Sequence, residues 1–247
     1  MDLGIKGRRA LVCGASRGLG FACAQALARE GAAVTLASRR RETLTLAAAR
    51  IEAETGALPA TALADISTEA GRRHALAACP EPDILVTNAG GPPSMDFREL
   101  EVTAWIEALQ ANFLSAVELI RATVDGMAGR GFGRIVNITS LTVRLPVQQL
   151  DLSNATRLAL TGYVAGVARQ VAPGKVTINN LLPGTIATER IRELGATAEK
   201  LIAKVPMGRA GDPEEFGAAC AFLCSRQAAY ITAQNLLVDG GLCPFTV

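Results

Sequence analysis

A chain of 247 residues is the length of one α/β domain, and 49% hydrophobic against 19% charged residues supplies the apolar surface for a large core and excludes a disordered chain. A formal net charge of +2, with no basic run longer than Arg39, Arg40 and Arg41, leaves no field able to gather nucleic acid. No apolar run approaches the ~20 residues of a membrane span and the N-terminus lacks a signal-peptide layout, so a cytoplasmic protein with neither a membrane nor a nucleic-acid partner is expected.

In chain order, short apolar runs alternate with segments of helical period. Strands are predicted over 10–13, 33–37, 61–63, 84–87, 134–138, 177–181 and 235–238. Helices are predicted between them over 21–30, 42–54, 68–78, 103–127, 153–171 and 213–223. Repeated βα units of this kind imply an α/β fold, a doubly wound Rossmann-type parallel sheet with helices on both faces, in a single domain over 1–247. Residues 90–94 and 129–133 are glycine- and proline-rich loops at element ends, and no linker or repeat divides the chain. Cys13, Cys23, Cys79, Cys220, Cys224 and Cys243 are scattered through apolar stretches without a C-x-x-C pair, which predicts reduced core thiols and no metal site. The single histidine, His74, lies between Arg73 and Ala75 and is expected on a solvated helix face.

Ligands of open α/β sheets settle beyond the carboxyl ends of the strands. The first strand runs directly into Gly14-Ala15-Ser16-Arg17-Gly18-Leu19-Gly20, after which a helix begins. Glycines let the backbone turn tightly and approach a diphosphate, while the free N–H groups and positive dipole end of the helix attract the anion. At the end of the second strand, where an acid would accept from the ribose of NAD, stands Ser38, followed by Arg39. Arg17 adds a second guanidinium, which no nearby carboxylate is expected to neutralise, and NADP is therefore expected in preference to NAD. Cations at a helix start are disfavoured by the dipole, which also favours a bound anion as the explanation of Arg39, Arg40 and Arg41.

These residues, Cys13 included, resemble the T-G-x-x-x-G-x-G signature of the short-chain dehydrogenase/reductase family, with Cys13 standing where threonine is usual. The resemblance extends along the chain through Asn88-Ala89-Gly90, Asn112, Asn137-Ile138-Thr139-Ser140, Pro183-Gly184, Thr188, the stretch 206–215 and Asp239-Gly240-Gly241, and is strongest toward the β-ketoacyl-carrier-protein reductase branch. It implies cofactor contacts from Gly14, Ser16, Arg17, Gly18, Leu19, Gly20, Ser38, Arg39, Asp65, Ile66, Asn88, Ala89, Gly90, Arg157, Pro183, Gly184 and Thr188, although Asp65 could equally cap the helix that follows. It also implies catalytic roles for Ser140 and Asn112, and assembly as a homodimer or homotetramer, to which the apolar segment 236–247 is suited.

One departure from the family pattern falls on the proton chemistry. The family's tyrosine lies thirteen residues beyond its serine and its lysine four further on, a spacing that puts both on one helix face. Here those positions are Ser153 and Arg157. Tyr163 is ten residues along the same helix, displaced by ~15 Å at ~1.5 Å per residue. A serine hydroxyl is a far weaker acid than a phenol, and a guanidinium holds a ribose without relaying a proton. Loss of a positioned general acid lowers rates by roughly 10²- to 10⁴-fold, so ordinary ketone reduction is expected to be slow. Gln148, Gln149 and Asp151 could approach the cleft or be solvated. An NADP-dependent interconversion of carbonyl and alcohol on a small or acyl substrate is the favoured function; a non-redox isomerase or lyase, and a catalytically silent NADP-binding scaffold, are the alternatives. Residues 141–152 and 185–205 should surround the substrate. Leu145, Pro146, Val147 and Leu150 suit an apolar ligand or cover the core, and Arg144 or Arg192 could meet an anionic acyl group if not simply exposed.

Overall fold

The structure, a computed structural model, describes residues 2–245; Met1, Thr246 and Val247, which the expected domain and the C-terminal apolar segment include, lie outside the described residues. The strands are β1 (Arg9–Cys13), β2 (Ala33–Ser38), β3 (Ala60–Leu63), β4 (Ile84–Thr87), β5 (Gly133–Ile138), β6 (Val176–Pro183) and β7 (Asn235–Val238). The helices are α1 (Gly18–Arg29), α2 (Arg41–Thr55), α3 (Glu69–Ala78), α4 (Val102–Leu109), α5 (Ser115–Gly129), α6 (Asp151–Val171), α7 (Glu189–Arg192), α8 (Ala196–Ile202) and α9 (Pro213–Cys224). All seven strands are parallel, in the order β3-β2-β1-β4-β5-β6-β7. The chain runs outward from β1 to β3 and then returns to β4 on the other side of β1. That reversal opens a crevice at the carboxyl ends of β1 and β4.

Alternation along each strand divides the interior between two faces. Ala10 and Val12 of β1, Ile84 and Val86 of β4 and Val136 of β5 pack with Leu27, Ile51 and Phe216 of α1, α2 and α9. Leu11, Leu85 and Ile135 point the other way, onto Leu119, Ile120, Leu160 and Val164 of α5 and α6. Burial on both faces accounts for strands that read as continuous apolar runs. Asparagines interrupt those runs near the carboxyl ends. The Thr87 hydroxyl donates to Asn137 Oδ1 at 2.7 Å, Asn137 Nδ2 donates to Asn180 Oδ1 at 3.0 Å, and Asn180 Nδ2 donates to Asn235 Oδ1 at 2.8 Å. This polar row crosses β4, β5, β6 and β7 in register, just beneath the segment that carries Ser140.

Two expectations are corrected here. The helix predicted over 103–127 is broken by a π-helical turn, Gln110–Leu114, between α4 and α5. No proline or glycine marks that break; a wider turn of this kind arises where packing rotates a side chain inward, and the residue so rotated is Asn112. Residues 185–205, expected to surround the substrate, carry two short helices, α7 and α8, where none was predicted. Helices of four and seven residues have too little apolar period to be read from sequence.

Candidate active site

The glycine turn is shaped as an anion cradle. Gly14 and Gly18 take φ of +59° and +58°, which side chains rarely tolerate, and a Cβ on Gly20 would lie 2.4 Å from the Gly14 carbonyl oxygen. Arg17 occupies the N-cap of α1 in extended conformation without capping through its side chain, so the first N–H groups of the helix face the crevice. Asn88, at the end of β4, donates from Nδ2 to the Gly14 carbonyl at 3.3 Å and ties the turn to the neighbouring strand. Leu19 packs its partly buried side chain against the core beneath.

At the outer end of the crevice, the Ser38 hydroxyl donates to Ser16 Oγ at 2.9 Å, bringing the end of β2 against the glycine turn. The expectation of cations without nearby carboxylates is corrected. Arg39 lies 3.9 Å from Asp65, and Arg17 lies 3.4 Å from Glu189, a residue 172 positions away whose approach only the fold creates. All four side chains remain substantially exposed, so both pairs are weak and can exchange for a phosphate. Asp65 also accepts from the Ser67 backbone N–H at 3.0 Å and the Ser67 hydroxyl at 2.7 Å, while Thr68 is the residue that caps α3. The Ile66 side chain is directed into the core, leaving little for a ligand. Gly90 is exposed beyond β4, and the Gly184 backbone N–H after Pro183 donates to the Val238 carbonyl at 3.0 Å. Thr188 caps α7, and its methyl group would sit 3.7 Å from a Cβ on Gly18, so this segment straps across the glycine turn.

Deeper in the crevice, the structure brings together Ser140, Asn112 and the α6 pair. Ser140 caps a single turn, Leu141–Val143, and its Oγ accepts from the Thr142 N–H at 3.2 Å. Ser153 and Arg157 are both 6% exposed on the inner face of α6. Arg157 donates from Nη1 to the Ile138 carbonyl at 3.0 Å and from Nη2 to the Ala89 carbonyl at 3.4 Å, which bridges the ends of β5 and β4. Its Nε is buried without a partner, as is Oδ1 of Asn112, whose Nδ2 donates to the Ala108 carbonyl at 3.4 Å. Burial lowers the Arg157 pKa to about 10, with repulsion from Arg190 adding to it, so the group is still a cation at neutral pH. Both atoms are left for a partner that the protein itself does not supply.

The flanking loop is held from two sides. Asn154 Oδ1 accepts from the Val147 N–H at 3.3 Å and Nδ2 donates to the Val147 carbonyl at 3.0 Å, while the Met95 N–H donates to the Gln149 carbonyl at 3.0 Å. Gln148 and Gln149 are exposed, and Asp151 opens α6, where its charge complements the helix dipole. Tyr163 stacks edge-on against Phe113 with ring centroids 6.3 Å apart, in the core and away from Ser153. Arg144, Arg190 and Arg192 are all exposed; of the three, Arg190 places its guanidinium against Gly91, just beyond the end of β4. Sequence reasoning missed Arg190 because its approach to residue 91 is made by the strap and has no local signature.

Comparison with known proteins places this geometry. A family model described as enoyl-(acyl carrier protein) reductase matches residues 14–243. Gluconate 5-dehydrogenase of Gluconobacter oxydans is 35% identical over 96% of this chain and 95% of its own, and 3-oxoacyl-[acyl-carrier-protein] reductase of Vibrio harveyi is 32% identical over 97% and 99%. Among solved structures, L-sorbose reductase of Gluconobacter frateurii, complexed with NADPH and L-sorbose, superposes with a TM-score of 0.93 at 29% identity over 99% of this chain and 100% of that one. A 3-oxoacyl (acyl-carrier-protein) reductase of Agrobacterium tumefaciens with NADP bound gives 0.90 at 30% identity over 97% and 95%. With the strand order, the glycine cradle and relatives matched along nearly their whole length, the chain belongs to the short-chain dehydrogenase/reductase family.

Proposed function

We propose that this protein is an NADP-dependent oxidoreductase that interconverts a carbonyl and an alcohol on a small or acyl substrate, with Ser153 and Arg157 in place of the usual acid and its lysine. The observation that carries this is the buried Arg157 guanidinium, which faces the cleft beside Ser153 with an unpaired Nε, at the inner end of a crevice whose outer end is a phosphate cradle. NADP fits the residues present. Gly14, Gly18, Gly20 and the N-terminus of α1 suit its diphosphate, and Ser16, Ser38, Arg17 and Arg39 suit the phosphate on its adenosine ribose. Asp65, Ile66, Asn88, Ala89, Gly90, Pro183, Gly184 and Thr188 complete the groove, Ile66 through its backbone. The relatives solved with NADPH or NADP support the same choice.

When bound, the nicotinamide supplies or accepts the hydride. The chain's own part is positioning and electrostatics. The Ser140 hydroxyl donates to the substrate oxygen, and the unpaired Asn112 Oδ1 accepts from a substrate hydroxyl or a water. Arg157 holds the bound ribose and keeps a positive charge where the oxygen becomes negative, an effect that a low-dielectric site strengthens. The oxygen takes its proton from the Ser153 hydroxyl, which recovers one from water, a slower route than a phenol provides. The apolar segment that begins at Leu236 and the family's habit also favour a homodimer or homotetramer, and the buried thiols suit the reducing cytoplasm.

The test is NADPH and NADH consumption by the wild type across a panel of ketones and aldehydes, alongside fluorescence titration of both cofactors with Arg39→Ala. NADPH should bind more tightly than NADH, Arg39→Ala should erase most of that preference, and slow NADPH-dependent reduction should appear. Normal NADPH binding with no substrate turned over in either direction would sink the redox assignment.

A further inference from the structure

We infer that the cleft is built for an anionic substrate, a carboxylate-bearing carbonyl or alcohol, whose carboxylate is held at the mouth by Arg190 within the positive field of Arg157. This rests on the oxidoreductase assignment for the same cleft and adds the class of molecule that it takes.

The first support is a charge imbalance. Two cations of the outer crevice have a carboxylate close by, Glu189 for Arg17 and Asp65 for Arg39. Among the described residues, neither Arg157 nor Arg190 has a carboxylate within 4.0 Å. Arg157 meets only backbone carbonyls and leaves Nε buried and unpaired. A buried guanidinium without a counter-charge is unfavourable, and the like charge of Arg190, set against Gly91 two residues beyond the Ala89 carbonyl that Arg157 engages, adds repulsion that an anion would relieve. The phosphates of the cofactor are accounted for at the other end of the crevice by the glycine cradle and the Ser16–Ser38 corner.

The second support is steric. Arg190 has acidic neighbours one residue before and three residues after it on its own segment, Glu189 and Glu193, yet it pairs with neither. Its guanidinium instead approaches Gly91, where a Cβ would come within 2.5 Å of Nη1 and 3.3 Å of the guanidinium carbon. Residue 91 thus has to lack a side chain for the arginine to occupy this place. A planar fork of donors held at the mouth of a cleft suits a carboxylate, which it can engage through two parallel hydrogen bonds.

The experiment uses 2-oxobutanoate and its uncharged analogue 2-oxobutanamide, titrated calorimetrically into the full chain with and without saturating NADPH. The wild type should bind the carboxylate at least tenfold more tightly than the amide. Arg190→Gln should reduce that preference to below about twofold, Arg190→Lys should restore part of it, and Gly91→Ala, which displaces only the far end of a flexible side chain, should mimic Arg190→Gln, while NADPH affinity stays within about twofold throughout. Equal binding of the two probes by the wild type overturns the inference. So does an Arg190→Gln protein that loses NADPH affinity as much as carboxylate affinity, since Arg190 would then serve the cofactor. If NADPH does not bind at all, the oxidoreductase assignment falls, and the carboxylate preference measured without cofactor still decides this one.

Discussion

At the scale of single residues, the chemistry proposed for this cleft turns on Ser153 and Arg157. If the cofactor half is competent and only the acid has been exchanged, Ser153→Tyr with Arg157→Lys should raise reduction of activated ketones at least tenfold, within the ~10²- to 10⁴-fold that a positioned general acid contributes. Ser153→Tyr alone should gain less, because a guanidinium offers charge without a transferable proton. Rates with purified double mutant, measured at matched NADPH saturation, check both statements; no gain despite normal NADPH binding would mean that the cleft has diverged beyond its acid. The wild type carries its own pH signature. Arg157 is shifted down to about 10 by burial and then by Arg190, so oxyanion stabilisation is constant near neutrality and is lost as pH rises through about 10. The stability effect has the opposite sign: a buried cation whose folded pKa is depressed disfavours folding below that pKa, and the penalty is relieved as pH climbs past it. Arg157→Met should therefore be most favourable to thermal stability, relative to wild type, near pH 7 to 8, with the difference narrowing toward pH 10.5; a difference that widens over that interval would contradict the shift.

At the scale of elements, the row Thr87, Asn137, Asn180 and Asn235 explains how polar side chains persist inside a sheet buried on both faces. Each amide occupies a register position directly opposite its partner, so donors and acceptors are consumed pairwise. Asn137→Ala removes the central member and strands the Thr87 hydroxyl and Asn180 Oδ1. A loss of about 2–4 kcal/mol is expected from denaturant unfolding, by summing the desolvation of groups left unsatisfied. A loss below about 0.5 kcal/mol would show that the row contributes register without stability. The π turn at Gln110–Leu114 acts on the same scale, since it holds Asn112 buried with its Oδ1 unpaired.

At the scale of the whole molecule, the described surface retains apolar side chains that a monomer would leave in water. Leu236 on the edge strand β7 is 39% exposed and Phe245 beyond it 56%, and Val102, Ile106 and Leu158 of α4 and α6 are exposed on another face. An unpaired parallel edge with apolar neighbours invites pairing with a second copy. Sedimentation at micromolar concentration should show a dimer or tetramer, and a monomer there would refute it. Among the described residues no helix is long and apolar enough to cross a membrane.

What the sequence by itself determined was the order of strands and helices along the chain and the glycine turn, because each depends on local period or local spacing, while Ser140, Ser153 and Arg157 were singled out by the family resemblance. The strand limits for β4 and β7 agree to the residue, and the other strands differ only at their ends. Only the tertiary structure decided the rest. Glu189 meets Arg17, Asp65 meets Arg39, Arg190 lies on Gly91, and Asn112 turns inward through a helix defect. Each of these joins segments that are unrelated along the chain, or depends on packing around a turn of unmarked composition. Long-range pairing and inter-element packing leave no periodic trace in a sequence, and the electrostatics of the cleft are built almost wholly from them.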